Sequence, residues 1–169
     1  MGIAEKIIQV ATSYIGQKEV SGNKGFISPS FQKKMQDCGW KIGQSWCAYF
    51  TELVWKEAFG KSHPLYSTLD RLFSPSATAT YANFNGSQNF KVGSVPKVGA
   101  LVVWRYGNGW QGHIGIVESI VSGDTFKAVE GNTNNAGGRE GIEVALKTRK
   151  TGLPFRPKGL NLIGFVYPE

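Results

Sequence analysis

Only two cysteines and two histidines occur among the 169 residues. Cys38 and Cys47 are too few for a disulfide scaffold, and with no companion cluster they exclude a structural zinc site. Acidic residues are also scarce: 12 Asp and Glu stand against 19 Lys and Arg, a formal net charge of +7. That balance favours a polyanionic partner, whether nucleic acid, an acidic membrane surface or an anionic bacterial wall, and does not choose among them. No apolar run approaches the roughly 18 to 20 residues that span a bilayer, which excludes membrane insertion. The N-terminus has no basic segment leading into a hydrophobic stretch, so Met1 to Gly16 reads as structure and not as a Sec signal. Zinc-ligand spacing, a recognition-helix pattern and an RNP-like aromatic motif are all missing, which argues against nucleic acid as the partner.

What is present suits one compact α+β domain covering residues 1–169: 41% hydrophobic residues, 18% charged and 22 glycines for tight turns. Ile3, Ile7, Val10, Ala11 and Tyr14 recur at helical steps, and Gly16 follows as a stop. A second helix is predicted over Pro29 to Asp37. After the Gly39 to Gly43 turn, Ser45 reads as an N-cap; Cys47, Phe50, Val54 and Ala58 then share one helical face until Gly60. From Lys61 to Val95 the chain reads as a long decorated connection with helices at Ser67 to Phe73 and Ala77 to Phe84. Beyond Gly99 the pattern changes to strands: Ala100 to Arg105, His113 to Val121, Thr125 to Glu130, Gly141 to Thr148 and Leu162 to Tyr167. Helices first and strands afterwards predict N-terminal helices packed on a C-terminal antiparallel sheet.

A cysteine in the first turn of a helix sits among unpaired N–H groups and the positive end of the dipole, where a thiol gains reactivity. Taken alone, Cys47 reads first as a small buried core residue, as most free cysteines are. The base it would need is His113, at a strand start beside the Gly107 to Gly112 loop; His63, followed by Pro64 in a loop, reads as a surface residue. If Gly123-Asp124 closes a two-residue hairpin, Val117 faces Glu130, Gly115 faces Asn132 and His113 faces Asn134. All six then point to one face, with Asn132 diagonally beside His113 and Glu130 one pair further. A thiol at a helix start, a histidine on the adjoining sheet and a polar orienting residue are the parts of a Cys/His acyl-transfer site.

The segments GQSWCAYFTELVW, PKVGALVVW, GHIGIVES and FKAVEGNTN, in this order, resemble the CHAP family of cysteine, histidine-dependent amidohydrolases/peptidases, over about residues 3 to 167. The resemblance implies a papain-like fold and hydrolysis of peptidoglycan amide bonds, either between N-acetylmuramic acid and L-alanine or within stem and cross-bridge peptides. It makes Cys47 the nucleophile, His113 the base that later protonates the leaving amine, Glu130 the group orienting His113, and Asn132 a helper of that orientation or of the oxyanion. Which of Glu130 and Asn132 orients the ring stays open. The Cys47 N–H and the Gln44 side chain are candidate oxyanion donors. Some members bind calcium through aspartates ahead of the nucleophile, but only Asp37 lies there, so neither metal nor cofactor is expected.

Trp46 and Trp110 are the candidate substrate-contacting aromatics, with Trp110 the rim residue beside His113 and core packing the more frequent role for a tryptophan placed as Trp46 is. The cluster Lys147, Arg149, Lys150, Arg156 and Lys158 reads as a solvated face with a secondary capacity to attract anionic polymer. With no Sec signal, action on a wall calls for phage release or a secretion machine, and an immunity or inhibitor protein is a further partner class. Two rivals keep the same sequence features: a non-catalytic wall-binding module, and a papain-like protease or toxin acting on a protein.

Overall fold

The computed structural model describes residues 1–133 and 141–169. Five helices come first: α1 (Ile3–Ser13), α2 (Pro29–Asp37), α3 (Cys47–Phe59), α4 (Tyr66–Leu72) and α5 (Ala77–Asn85). Six strands follow: β1 (Lys91–Gly93), β2 (Leu101–Tyr106), β3 (Gly112–Ile120), β4 (Thr125–Thr133), β5 (Glu143–Lys150) and β6 (Leu160–Tyr167). The strands form one antiparallel sheet in the order β1-β6-β2-β3-β4-β5. Helices packed on a C-terminal antiparallel sheet are the α+β arrangement that the element order predicts and the papain-like one that the resemblance implies.

Local chemistry explains the helix starts. Ser28 Oγ accepts from the Phe31 N–H at 3.3 Å with Pro29 as the first helical residue, and Ser76 Oγ accepts from the Ala79 N–H at 3.2 Å. α3 departs from expectation, because its N-cap is Trp46 and not Ser45. A tryptophan cannot cap with its own side chain. Instead its backbone N–H donates to Asn132 Oδ1 at 2.8 Å, so a residue of β4 anchors this helix start.

α3 is the central element. Eleven of its thirteen residues are buried, so it is apolar nearly all round and not only on the predicted Cys47–Phe50–Val54–Ala58 stripe. It packs on β3, β4 and α1. Along β2, β3 and β4, Leu101, Val103, Ile114, Ile116 and Val129 join the helix-side core. The alternate residues Val102, Trp104, Val117, Phe126 and Ala128 form a second cluster on the opposite face.

The register of β3 on β4 differs from the one predicted. The turn is longer than two residues, with the Val121 and Ser122 N–H groups both donating to Thr125 O, and Ile120 pairs with Phe126. A bulge between Val117 and Ser119 shifts the pairing once more, so Val117 faces Ala128 instead of Glu130. Two single-residue shifts restore the parity of the faces and draw Glu130 two residues closer to His113. A second irregularity between Glu130 and Thr133 on β4 leaves Asn132 at φ 55°, left-handed backbone that asparagine tolerates better than most residues. Asn132 is thereby turned to the helix layer and off the face predicted for it. The predicted partner of His113, Asn134, lies outside the described residues.

Candidate active site

Cys47 is the first residue of α3 and is almost wholly buried, reaching solvent through a cleft of about 240 Å³. Gln44, Ser76, Trp110 and Gln111 share the walls of that cleft. The 107–112 loop that carries Trp110 is held to α5 by Thr78 Oγ1, which donates to Trp110 O at 2.6 Å. Trp110 itself is 74% exposed.

His113 begins the buried part of β3 and has no exposed surface. Its Nε2 lies 2.8 Å from Glu130 Oε1. The other ring nitrogen, Nδ1, is buried without a hydrogen-bond partner among the described residues, and Cys47 is the second group that acts on the ring besides Glu130. Burial works against a charged imidazole, but the Cys47 and Glu130 side chains outweigh it and lift the His113 pKa to about 9. Glu130 moves the other way. Its burial alone would raise it, yet hydrogen bonds from Arg149 and His113 hold it down to about 2.

Gly115 makes this approach feasible, since a Cβ there would fall 2.7 Å from Glu130 Cγ. Gly112 does the same one residue before His113, where a Cβ would collide with Trp104 O. Trp104 pairs with His113 across β2 and β3, and the two rings stack with centroids 5.7 Å apart and planes 25° apart.

Asn132, the other candidate for orienting His113, is used elsewhere. Its Oδ1 accepts from Trp46 N–H, and its Nδ2 donates to Gly141 O at 2.7 Å. Of the two polar residues left open by the sequence, Glu130 is the one that bonds the ring. Trp46 is a correction as well: it has no exposed surface and packs edge-on to Phe26 at 5.0 Å, so its ring cannot contact substrate. Gly131 permits this packing, because a Cβ there would come within 2.7 Å of the Trp46 ring. Gln44 is at the cleft with its amide oxygen engaged, accepting from the Lys41 N–H at 2.9 Å and the Tyr49 hydroxyl at 3.1 Å. Cys38 and Cys47 are free thiols that open onto different clefts.

Arg149 escaped the sequence reading. It belongs to the charged run read as a solvated face, yet its Nε donates to Glu130 Oε2 at 2.8 Å and its NH2 group to Oε1 at 2.6 Å. Its guanidinium carbon lies 4.9 Å from the Trp104 ring centroid. The signal was indirect: Ala145 faces Glu130 and Lys147 faces Ala128, so Arg149 shares their side of the sheet, and a buried carboxylate demands a cation there. Lys150 and Arg156 of the same run line a separate cleft of about 350 Å³ beside Trp104.

Among the described residues no three His, Cys, Asp or Glu side chains gather as a metal-ligand set, and no helix is long and apolar enough to cross a membrane. No curated protein matches the chain. The CHAP domain family matches residues 39–132, more than half of the sequence and inclusive of Cys47, His113 and Glu130. The chain belongs to the CHAP family, whose members are cysteine hydrolases active on peptidoglycan.

Proposed function

We propose that this protein, acting as a single catalytic domain over residues 1–169, hydrolyses amide bonds of peptidoglycan by acyl transfer through Cys47. The bonds in question are the N-acetylmuramoyl–L-alanine linkage or peptide bonds of the stem and cross-bridge. The observation that carries the reading is the polarity of His113: Nε2 is tied to a buried carboxylate, Nδ1 has no hydrogen-bond partner among the described residues, and Cys47 at the start of α3 is the other side chain acting on the ring.

His113 takes the Cys47 thiol proton, and the imidazolium that forms is held by Glu130, which together with Cys47 lifts the His113 pKa to about 9. The sulfur attacks the carbonyl carbon, and the carbonyl π electrons move to oxygen. Supporting donors for that oxyanion are the Cys47 N–H, which has no intrahelical acceptor in the first turn, and the Gln44 NH2 group, the end of its amide left over once the oxygen is engaged. Collapse breaks the C–N bond, and His113 delivers its proton to the departing amine. Water then attacks the thioester, His113 takes its proton, and the carboxylate leaves with Cys47 regenerated. Asn132 supports this chemistry at one remove, by fixing the helix start on which Cys47 sits. Trp110, exposed at the rim, offers a ring face to sugar or peptide.

Digestion of purified peptidoglycan, with released fragments identified by mass spectrometry, tests the proposal. Wild type should release soluble fragments whose new termini name the bond, and Cys47→Ala should release none. Absence of fragments from wild type across several wall chemotypes under reducing conditions would overturn it.

A further inference from the structure

Among the described residues Glu130 makes three charge-assisted hydrogen bonds, and only one of them goes to His113. Arg149 supplies the other two, and its fork shares Oε1 with the imidazole: Nε2 of His113 lies at 2.8 Å and NH2 of Arg149 at 2.6 Å from the same oxygen. Glu130 has no exposed side-chain surface and Arg149 only 18%, so the carboxylate is held by protein groups and not by solvent. The guanidinium also lies over Trp104, whose ring stacks on His113, so Arg149 touches both groups that hold the imidazole.

We propose that Arg149 is a positioning residue of the reaction: by holding Glu130 ionised and aimed, it permits His113 to carry a proton opposite a Cys47 thiolate. This rests on the Cys47–His113 reading above. The physical case is a charge count. Arg149 and Glu130 cancel, which leaves thiolate and imidazolium as a second neutral pair. Without Arg149, two buried anions, Glu130 and the Cys47 thiolate, compete for one imidazolium, and Glu130 Oε2 loses its donor. Formation of the thiolate then becomes harder. The groups acting on His113 are Cys47 from α3 and Glu130 from β4, with Arg149 behind Glu130 from β5; Trp104 from β2 brings no titratable group. Arg149 lies outside the matched residues 39–132.

The test is the pH dependence of Cys47 alkylation by iodoacetamide, followed by peptide mass spectrometry, beside kcat and KM for fragment release. In Arg149→Met the acidic limb of the alkylation profile should move up by about one pH unit, the tenfold change expected from losing hydrogen bonds to a charged group. kcat should fall with little change in KM. Arg149→Lys keeps the charge without the fork and should show a smaller shift in the same direction, which also serves if the Met variant does not fold. A limb that stays at the wild-type position in the folded variants overturns the assignment of Arg149. A wild-type profile identical to that of His113→Ala overturns the Cys47–His113 reading beneath it, so the two failures are distinguishable.

Discussion

Glu130 and Glu52 are both buried carboxylates, and their surroundings drive them in opposite directions. Glu130, on the sheet, meets Arg149 and His113 at hydrogen-bond distance and is held down to about 2 against the pull of burial. Glu52, on α3, is pushed by burial up to about 7, because its nearest cation, Lys56, stands 3.8 Å away and is bonded to Asp70. Cys38 repeats the case of Glu52: burial and the nearby Glu52 push its thiol up to about 12. Burial alone thus silences an ionisable group, and matched partners turn the same burial into a charged site.

The largest expected effect separates the cysteines. Cys47→Ala should reduce fragment release by at least about a thousandfold, and Cys38→Ala should leave it unchanged, in parallel digests of one peptidoglycan preparation. Next, the glutamates should part in chemical denaturation at pH 7. Glu130→Gln leaves Arg149 facing a neutral amide in a buried site and should cost about 3 to 5 kcal/mol, the range for breaking a buried pair. Glu52→Gln removes a carboxylate that is poorly served and should cost far less.

The pH dependence sharpens this further. A carboxylate whose folded pKa is raised stabilises the fold below its unfolded value, about 4.3, and that contribution is lost as pH rises through about 7 for Glu52. The stability of Glu52→Gln relative to wild type should therefore grow between those two pH values and level off above them. Glu130 has the opposite sign: its contribution is present above about 4.3 and lost as pH falls towards 2. For His113, stabilisation is complete below about 6.5 and lost as pH rises through 9, so activity should fall along the same alkaline limb. The smallest effect concerns the two clefts. Trp110→Ala should raise KM by about three- to tenfold, as loss of one aromatic contact predicts, while Tyr66→Ala on the Cys38 cleft leaves KM alone.

Much of the frame was readable from residue patterns. Pro29 at a helix start and Gly60 at a helix end are local devices, and the predicted bounds of α2 coincide with those observed. The three-residue β1 was not readable, because it exists through pairing with β6 and has no pattern of its own. Cys47 and His113 could be picked out as candidates because each lies at the end of a regular element. Their support could not. The bulge in β3 and the left-handed Asn132 decide which polar residue reaches the imidazole, and neither leaves a periodic trace. Arg149 looked like surface because its burial follows from that of Glu130, a tertiary fact. Trp46 was assigned to the substrate through its sequence neighbour Cys47, yet successive residues at a helix start point in different directions.

The most direct test of the account is selective alkylation. One equivalent of iodoacetamide near neutral pH, followed by peptide mapping and assay of the same samples, should modify Cys47, spare Cys38 and abolish hydrolysis in proportion to the label. Label on Cys38 ahead of Cys47, or full activity in protein fully labelled at Cys47, would contradict it.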